Sequence, residues 1–400
     1  MTTTVAPAID LLDPAAFRGS QPHEQFRWLR DHDPVHWHPE PDGRGFWAIT
    51  CYEDVRAVGR DPRTFSSYEG GIMVSDLEEI TLAGARLMML VMDPPEHTRH
   101  RQLVQRGFAP RGAAGWSGRI DQLATDIVDA VIDRGECDLV TDIAGEMPSL
   151  VIADVMGIPR DDARRLYHLT EIMHSAPGAH PEDVHINATV EMMSYASAVF
   201  ADKRVNPADD LATLLVQADL DGDKLTDAEL AWFFLLLINA GGDTTRNLVG
   251  AGMHTLFEHP DQLARFRADV DGLLGTAIEE LLRWVSPVVY MRRTATCDTR
   301  IAGTDIAAGD KVVMYYGAAN RDPRAFDDPE TLDVRRNPNE HIAFGGGGPH
   351  FCLGASLARI EIRALLREIL TRMPNLEPVG EPSWLPSNFI FGPTHLPVQF

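Results

Sequence analysis

Phe344-Gly345-Gly346-Gly347-Gly348-Pro349-His350-Phe351-Cys352-Leu353-Gly354 is the stretch that decides how this chain is read. Four consecutive glycines contribute nothing to core packing. They let the backbone take positive φ and approach another group closely. The stretch ends on a cysteine and passes into a helical pattern, with Leu353, Leu357, Ile360 and Ala364 on one stripe that runs to about Leu370. A helix N-terminus stabilises negative charge and so favours thiolate over thiol. Alone, the stretch has three readings. It closes a strand before a helix and buries an inert cysteine. Or it presents a reactive nucleophile beside His350. Or it offers a thiolate from a loop free of bulky side chains, as a flat macrocycle requires.

The next signal outward is a long helix between about Gly222 and Pro260. Thr226-x-x-Glu229 is a capping box directly before an apolar run, and Leu230 to about Glu258 reads as one helix. At 1.5 Å per residue it extends on the order of 40 Å, the width of a domain. Ala240-Gly241-Gly242-Asp243-Thr244-Thr245 interrupts it. Two mid-helix glycines cost about 1 kcal/mol each relative to alanine. The combination fits a locally widened helix close to a ligand. It fits equally a kinked helix whose polar groups are satisfied internally.

Phe46-Trp47-Ala48-Ile49-Thr50 reads as a strand and Tyr52 to Arg60 as a short helix. Residues 115–285 are helical in period, with breaks expected at Pro148, Pro159, Pro177, Pro181 and Pro207. Residues 294–316 switch to β-like pieces turning at Gly303 and Ala308-Gly309-Asp310. The expected fold class is mainly α with a minor β region. With no internal repeat or low-complexity linker, the expectation is one domain over residues 1–400.

Composition bounds the function. The chain is 44% hydrophobic and 24% charged, as in ordinary globular proteins. A net charge of −23 argues against nucleic acid or an anionic membrane surface as a general partner. The N-terminus has no signal-peptide pattern, and the apolar run Ala231 to Ala240 is too short to span a bilayer. Cys51, Cys137, Cys297 and Cys352 are far apart, which fits a reducing cytoplasm better than a disulfide framework. His32, His36 and His38 lack a fourth ligand at good spacing and read as surface.

The cysteine stretch, with its aromatic start, its His two residues before the cysteine and its Gly two after, resembles the heme-binding loop of cytochrome P-450 monooxygenases. Other elements of that family appear in its order over roughly residues 90–400. The resemblance implies heme b with Cys352 as the axial thiolate, and a heme lying between the long helix and the helix after the cysteine. It implies that Asp243 and Thr244 form the acid–alcohol pair that delivers protons during dioxygen activation. His97 and Arg101, four apart in Asp93-Pro94-Pro95-Glu96-His97-Thr98-Arg99-His100-Arg101, would share a helix face and contact a propionate together with Arg293 and His350. Phe344 and Gly241 would lie against the macrocycle. Glu280-Leu281-Leu282-Arg283, on its own a surface pair, matches the family's buried Glu–Arg scaffold, with Arg336 as third member.

Within that family the chain is similar to actinobacterial hydroxylases of steroid side chains and methyl-branched lipids. Cys352 stands eight residues after Phe344, one more than in most bacterial members, and Ser286-Pro287-Val288-Val289-Tyr290-Met291-Arg292-Arg293-Thr294 with Thr245-Arg246-Asn247 points the same way. Those relatives often carry Asn-Glu where this chain has Gly242-Asp243. Val288, Val289 and Met291 would face a hydrocarbon substrate. Residues 68–90 and 160–210, with Met73, Met88, Met89, Met173, Met192 and Met193, would form the access lid. The implied partners are a separate ferredoxin and its NAD(P)H-dependent reductase, the ferredoxin docking on a local basic patch near Cys352. A natural-product tailoring oxygenase and a non-catalytic heme-thiolate sensor are the alternatives.

Overall fold

A computed structural model describes residues 7–108, 114–174, 181–219 and 222–400. Helices dominate, and strands gather mainly into one sheet. In chain order the helices are α1 (His23–His32), α2 (Tyr52–Arg60), α3 (Glu79–Ala85), α4 (Glu96–Phe108), α5 (Ser117–Ile132), α6 (Glu146–Met156), α7 (Arg160–His174) and α8 (Glu182–Val205). They continue as α9 (Leu211–Gln217), α10 (Asp227–Glu258), α11 (Pro260–Ala268), α12 (Val270–Val285), α13 (Tyr316–Ala319) and α14 (Ala355–Arg372).

The main sheet joins β1 (Val35–His38), β2 (Phe46–Ile49), β3 (Phe65–Ser66), β5 (Tyr290–Ala295) and β8 (Lys311–Tyr315). Its spatial order is β1-β2-β8-β5-β3. The β2–β8 pair is parallel, with Trp47 opposite Val312. The other neighbours are antiparallel, with Met291 opposite Met314 in the β5–β8 pair. Short ladders elsewhere pair β4 (Glu136–Asp138) with the strand Pro397–Gln399, and β6 (Thr299–Ile301) with β7 (Thr304–Ile306), the latter joined through Gly303 at φ 89°.

The capping box forms as read: Thr226 Oγ1 accepts from the Glu229 amide at 3.2 Å, and Glu229 Oε2 accepts from the Thr226 amide at 2.7 Å. From there α10 runs unbroken to Glu258. Gly241 and Gly242 stay within this continuous helix, with the Tyr167 ring packed over Gly242. Pro148 also breaks nothing. It sits in the first turn of α6, where a missing N–H leaves no intrahelical bond unmade. Pro159 and Pro207 do fall between helices and Pro181 caps one, whereas Pro177 lies outside the described residues. The helix after the cysteine starts at Ala355, so Cys352 lies in the loop, not in the first turn.

One hydrophobic core fills the space among α5, α6, α10, α12 and α14, and a second lies under the main sheet. At their junction Arg283 and Glu280, both 0% exposed, form the buried scaffold. Arg283 Nε and Nη2 each donate to Glu280 at 2.8 Å, and Arg336 Nε donates to the same carboxylate at 3.0 Å. The Asp333 amide and Asn339 Nδ2 complete its shell. A charge this deep persists only when every lone pair is used.

The histidine trio is not uniformly surface. His38 is buried, stacks on Phe46 at 4.9 Å and accepts the Leu11 amide at 3.1 Å through Nε2. The burial of β1 places it there. Among the described residues no group of His, Cys, Asp and Glu is arranged to hold a metal ion.

Candidate functional site

The glycines before Cys352 pack the loop tightly on α2. A Cβ on Gly348 would stand 2.3 Å from the Gly59 carbonyl oxygen, and one on Gly346 would stand 3.0 Å from Arg56 Cα. Gly345, Gly347 and Gly348 all have positive φ. The loop therefore lies flat along α2, and the Cys352 amide donates to the Phe344 carbonyl at 3.0 Å. This turn aims Cys352 into a cavity on the inner side of the loop.

That cavity has a volume of about 270 Å³, close to the lower end of the roughly 300–1,000 Å³ of ordinary small-molecule pockets. Cys352, Phe344 and Leu353 form one wall, and Ala240, Gly241 and Thr244 of α10 form the other. Within α10, Ala240 and Gly241 are exposed while the residues around them are mostly buried. The helix thus presents a shallow, side-chain-poor groove to the cysteine wall. Thr244 Oγ1 sits in it, donating to the Ala240 carbonyl at 3.0 Å.

A third wall is cationic. His97 and Arg101 of α4, Arg293 of β5 and His350 of the cysteine loop come from three segments and all line the cavity. The His97 and His350 rings are 4.3 Å apart. Arg101 Nη1 donates to the Pro349 carbonyl at 3.2 Å, and Arg293 Nη1 to the Arg292 carbonyl at 2.8 Å. Neither arginine makes an ion pair among the described residues, although Arg293 is only 4% exposed. His97 Nδ1 is buried without a partner. Burial, then Arg101, push the His97 imidazole down to about 4. Burial, then Arg293, hold His350 well below the ordinary histidine range. Buried cations without counter-anions are expensive. This wall is incomplete without carboxylates, of which a heme would bring two.

Burial pushes the Cys352 thiol up, against the opposing pull of the Gly354 amide, Arg101, Arg359 and the Ala355 amide. The helix start alone therefore does not favour the thiolate here. A thiol aimed at a side-chain-poor groove, unpaired arginines on one flank and glycines along the loop all fit a heme.

The structure brings most of the residues singled out from the sequence to this one cavity. Phe344 and Gly241 line the cavity, and Phe344 lies under the Arg359 guanidinium at 4.5 Å. Val288 and Met291 line it too. Val289 does not: it is 0% exposed in the core. Of the six methionines assigned to the lid, Met89 alone lines the cavity. Met192 is core. Asp243 also stands off the cavity. Its Oδ1 lies 3.4 Å from Arg246 Nη2 and accepts from the Tyr167 hydroxyl at 3.2 Å.

Two residues were missed. Glu361 of α14 lines the cavity, takes a hydrogen bond from Thr245 and leaves Oε2 without a partner. Burial pushes its carboxyl up to about 8. The signal was an acid four residues after Leu357, on the apolar stripe. Tyr316 also lines the cavity beside Arg293.

A sequence profile of the cytochrome P450 family matches residues 162–382. The methyl-branched lipid omega-hydroxylase of Mycobacterium tuberculosis is 43% identical over 388 residues, covering 94% of this chain and 90% of that protein. The steroid C26-monooxygenase of the same organism is 37% identical over 407 residues, covering 98% and 93%. A Mycobacterium marinum cytochrome P450 solved in complex with pseudoionone superposes with a TM-score of 0.91 at 39% identity, over 100% of both chains. Heme-thiolate chemistry is the family's, the cavity is built for it, and the chain belongs to the cytochrome P450 family of monooxygenases.

Proposed function

We propose that residues 1–400 form one cytochrome P450 domain that hydroxylates a C–H bond of a hydrophobic substrate: a steroid, a terpenoid or a methyl-branched lipid. The observation that carries this reading is the cavity itself. Cys352 lies on one wall and Thr244 opposite, and the space between continues into Met89, Val151, Phe233, Leu237, Val288 and Met291. Apolar lining of this kind selects by shape and buried area. The similar proteins named for methyl-branched lipids and steroids support the same class.

Thiolate-ligated heme iron supplies O–O cleavage chemistry. The chain's own groups do the rest. Cys352 would hold the iron of a bound heme, and His97, Arg101, Arg293 and His350 would hold its propionates. Thr244 keeps a hydroxyl in the groove, and Asp243 passes protons to it from solvent. The apolar wall excludes water. Electrons come from a separate ferredoxin and its NAD(P)H-dependent reductase. Phe351, 42% exposed beside Cys352, marks the docking face, and Arg56 and Arg60 of α2 flank the same loop. Among the described residues no helix is long and apolar enough to cross a membrane.

A ligand screen on the heme-loaded protein tests the substrate class. Sterols, methyl-branched fatty acids, terpenoids and macrolides are scored by the Soret shift that accompanies loss of the iron's water. Shifts with the first three groups are expected. Shifts with polar macrolides alone would replace this reading with a natural-product tailoring role.

A further inference from the structure

Gly242 and Asp243 both meet one side chain, Tyr167 of α7. The Tyr167 hydroxyl donates to Asp243 Oδ1 at 3.2 Å. Its ring lies so close over Gly242 that a Cβ there would stand 2.9 Å from Cε2. One helical turn on, the Arg246 guanidinium lies 5.4 Å from the centre of the same ring while pairing with Asp243. Asp243 and Arg246 are 6% and 5% exposed, and neither lines the cavity. Thr244, the next residue, does. The carboxylate and the hydroxyl it is read to serve thus leave α10 on different sides.

We propose that Tyr167 is a positioning residue for the proton relay: it holds the Asp243 carboxylate against α7 and off the cavity, so that transfer toward Thr244 follows release of the α7–α10 contact. The inference rests on the reading that Asp243 feeds protons to Thr244. In the step itself the Asp243 carboxylate takes one proton from water and gives it to Thr244 Oγ1 or to a water beside it. Thr244 passes its own hydrogen into the cavity, and Asp243 returns as a carboxylate to Arg246 and Tyr167. No electron moves. The groups facing this carboxylate include Arg246 on its own helix and Tyr167 from α7. The missing side chain at Gly242 is what lets the phenol ring reach that far: any larger residue would push the ring, and the helix that carries it, outward.

Tyr167→Phe keeps the ring and removes the hydroxyl. The heme-loaded variant, supplied with electrons and with a substrate found by the Soret screen, is followed by product formed per nicotinamide consumed across pH. The carboxylate loses a donor that favours its charged form, so the midpoint of that profile is expected to rise by about half to one pH unit. Hydrogen exchange of the 160–174 amides is measured in the same protein without reductant. Tyr167→Phe and Asp243→Ala are each expected to raise it several-fold, and their double variant no further, since the Tyr167–Asp243 hydrogen bond is lost in all three. Gly242→Ala reaches the contact from the other side and is expected to give the same rise and the same pH shift. Wild-type exchange and an unmoved midpoint in Tyr167→Phe or in Gly242→Ala, with Asp243→Asn still uncoupled, would overturn the proposal and leave the relay standing. Unchanged product per nicotinamide in Asp243→Asn would remove the relay reading, and the inference with it.

Discussion

Replacing Glu361 by Gln should stabilise the protein, and by more the higher the pH. Among the described residues, Glu361 lies in a cavity wall with one carboxyl oxygen unpartnered and the carboxyl hydrogen-bonded to the Thr245 side chain. Burial raises its carboxyl from the ordinary 4.5 to about 8. The folded protein therefore keeps this proton over a range in which the unfolded chain has released it. Stability from that proton is fully present below pH 4.5 and is lost as pH rises through 8. At about 1.36 kcal/mol per pH unit the whole gap is worth about 5 kcal/mol, of which about 4 falls between pH 5 and pH 8.5. With an unfolding entropy of about 2.1 cal/mol/K per residue, that is ~5 °C in Tm for a chain of this length. Glutamine keeps the shape and the partner to Thr245 but does not titrate. Thermal melts of the heme-loaded wild type and Glu361→Gln at the two pH values should therefore converge at pH 5 and separate by several degrees at pH 8.5. Parallel curves, with the same Tm difference at both, would show that Glu361 titrates normally and that the cavity wall is wet.

Glu280→Gln leaves the fully buried Arg283 without its anion and should destabilise by about 3–5 kcal/mol, or ~4–6 °C in Tm; Glu368→Gln, at the surface pair with Arg372, should change Tm by about 1 °C or less. Arg293→Leu separates two effects. The apoprotein loses a buried cation without an ion pair and should be no less stable, whereas heme should leave the variant roughly tenfold faster or more when an acceptor globin is added, a charged hydrogen bond being worth about 1.5–3 kcal/mol. Steady-state turnover with an acidic ferredoxin should slow as ionic strength rises through about 0.15 M, where charges are screened beyond about 8 Å; an insensitive rate would place docking away from the arginines of α2.

Much of the fold was legible because it rests on local chemistry. The capping box at Thr226 and Glu229, the strand at Phe46–Ile49 and the helix Tyr52–Arg60 stand where the residues put them. The candidate site was legible only through the family resemblance: alone the glycine–cysteine loop had three readings, and it was the motif order that grouped His97, Arg101, Arg293 and His350 with it. What sequence could not reach was facing. Spacing cannot say whether Asp243 turns to the cavity or to α7, since one residue is 100° of helix and tertiary packing chooses the side. Val289 and Met192 are apolar at the right positions, yet the core and not the cavity claimed them. Glu361 hid for the opposite reason, because a lone acid on an apolar stripe is usually read as a flaw in the stripe. The expected thiolate at a helix start also missed the larger effect: desolvation outweighs the amide dipoles of the loop.

The central claim is that Cys352 ligates the heme iron. X-ray absorption at the iron edge of the heme-loaded protein measures this directly. An iron–sulfur distance should be present in the wild type and in Cys51→Ser, Cys137→Ser and Cys297→Ser, and absent in Cys352→Ser even where that variant retains heme through the propionate wall. Sulfur scattering that survives Cys352→Ser, or that disappears with one of the other three cysteines, would contradict the account.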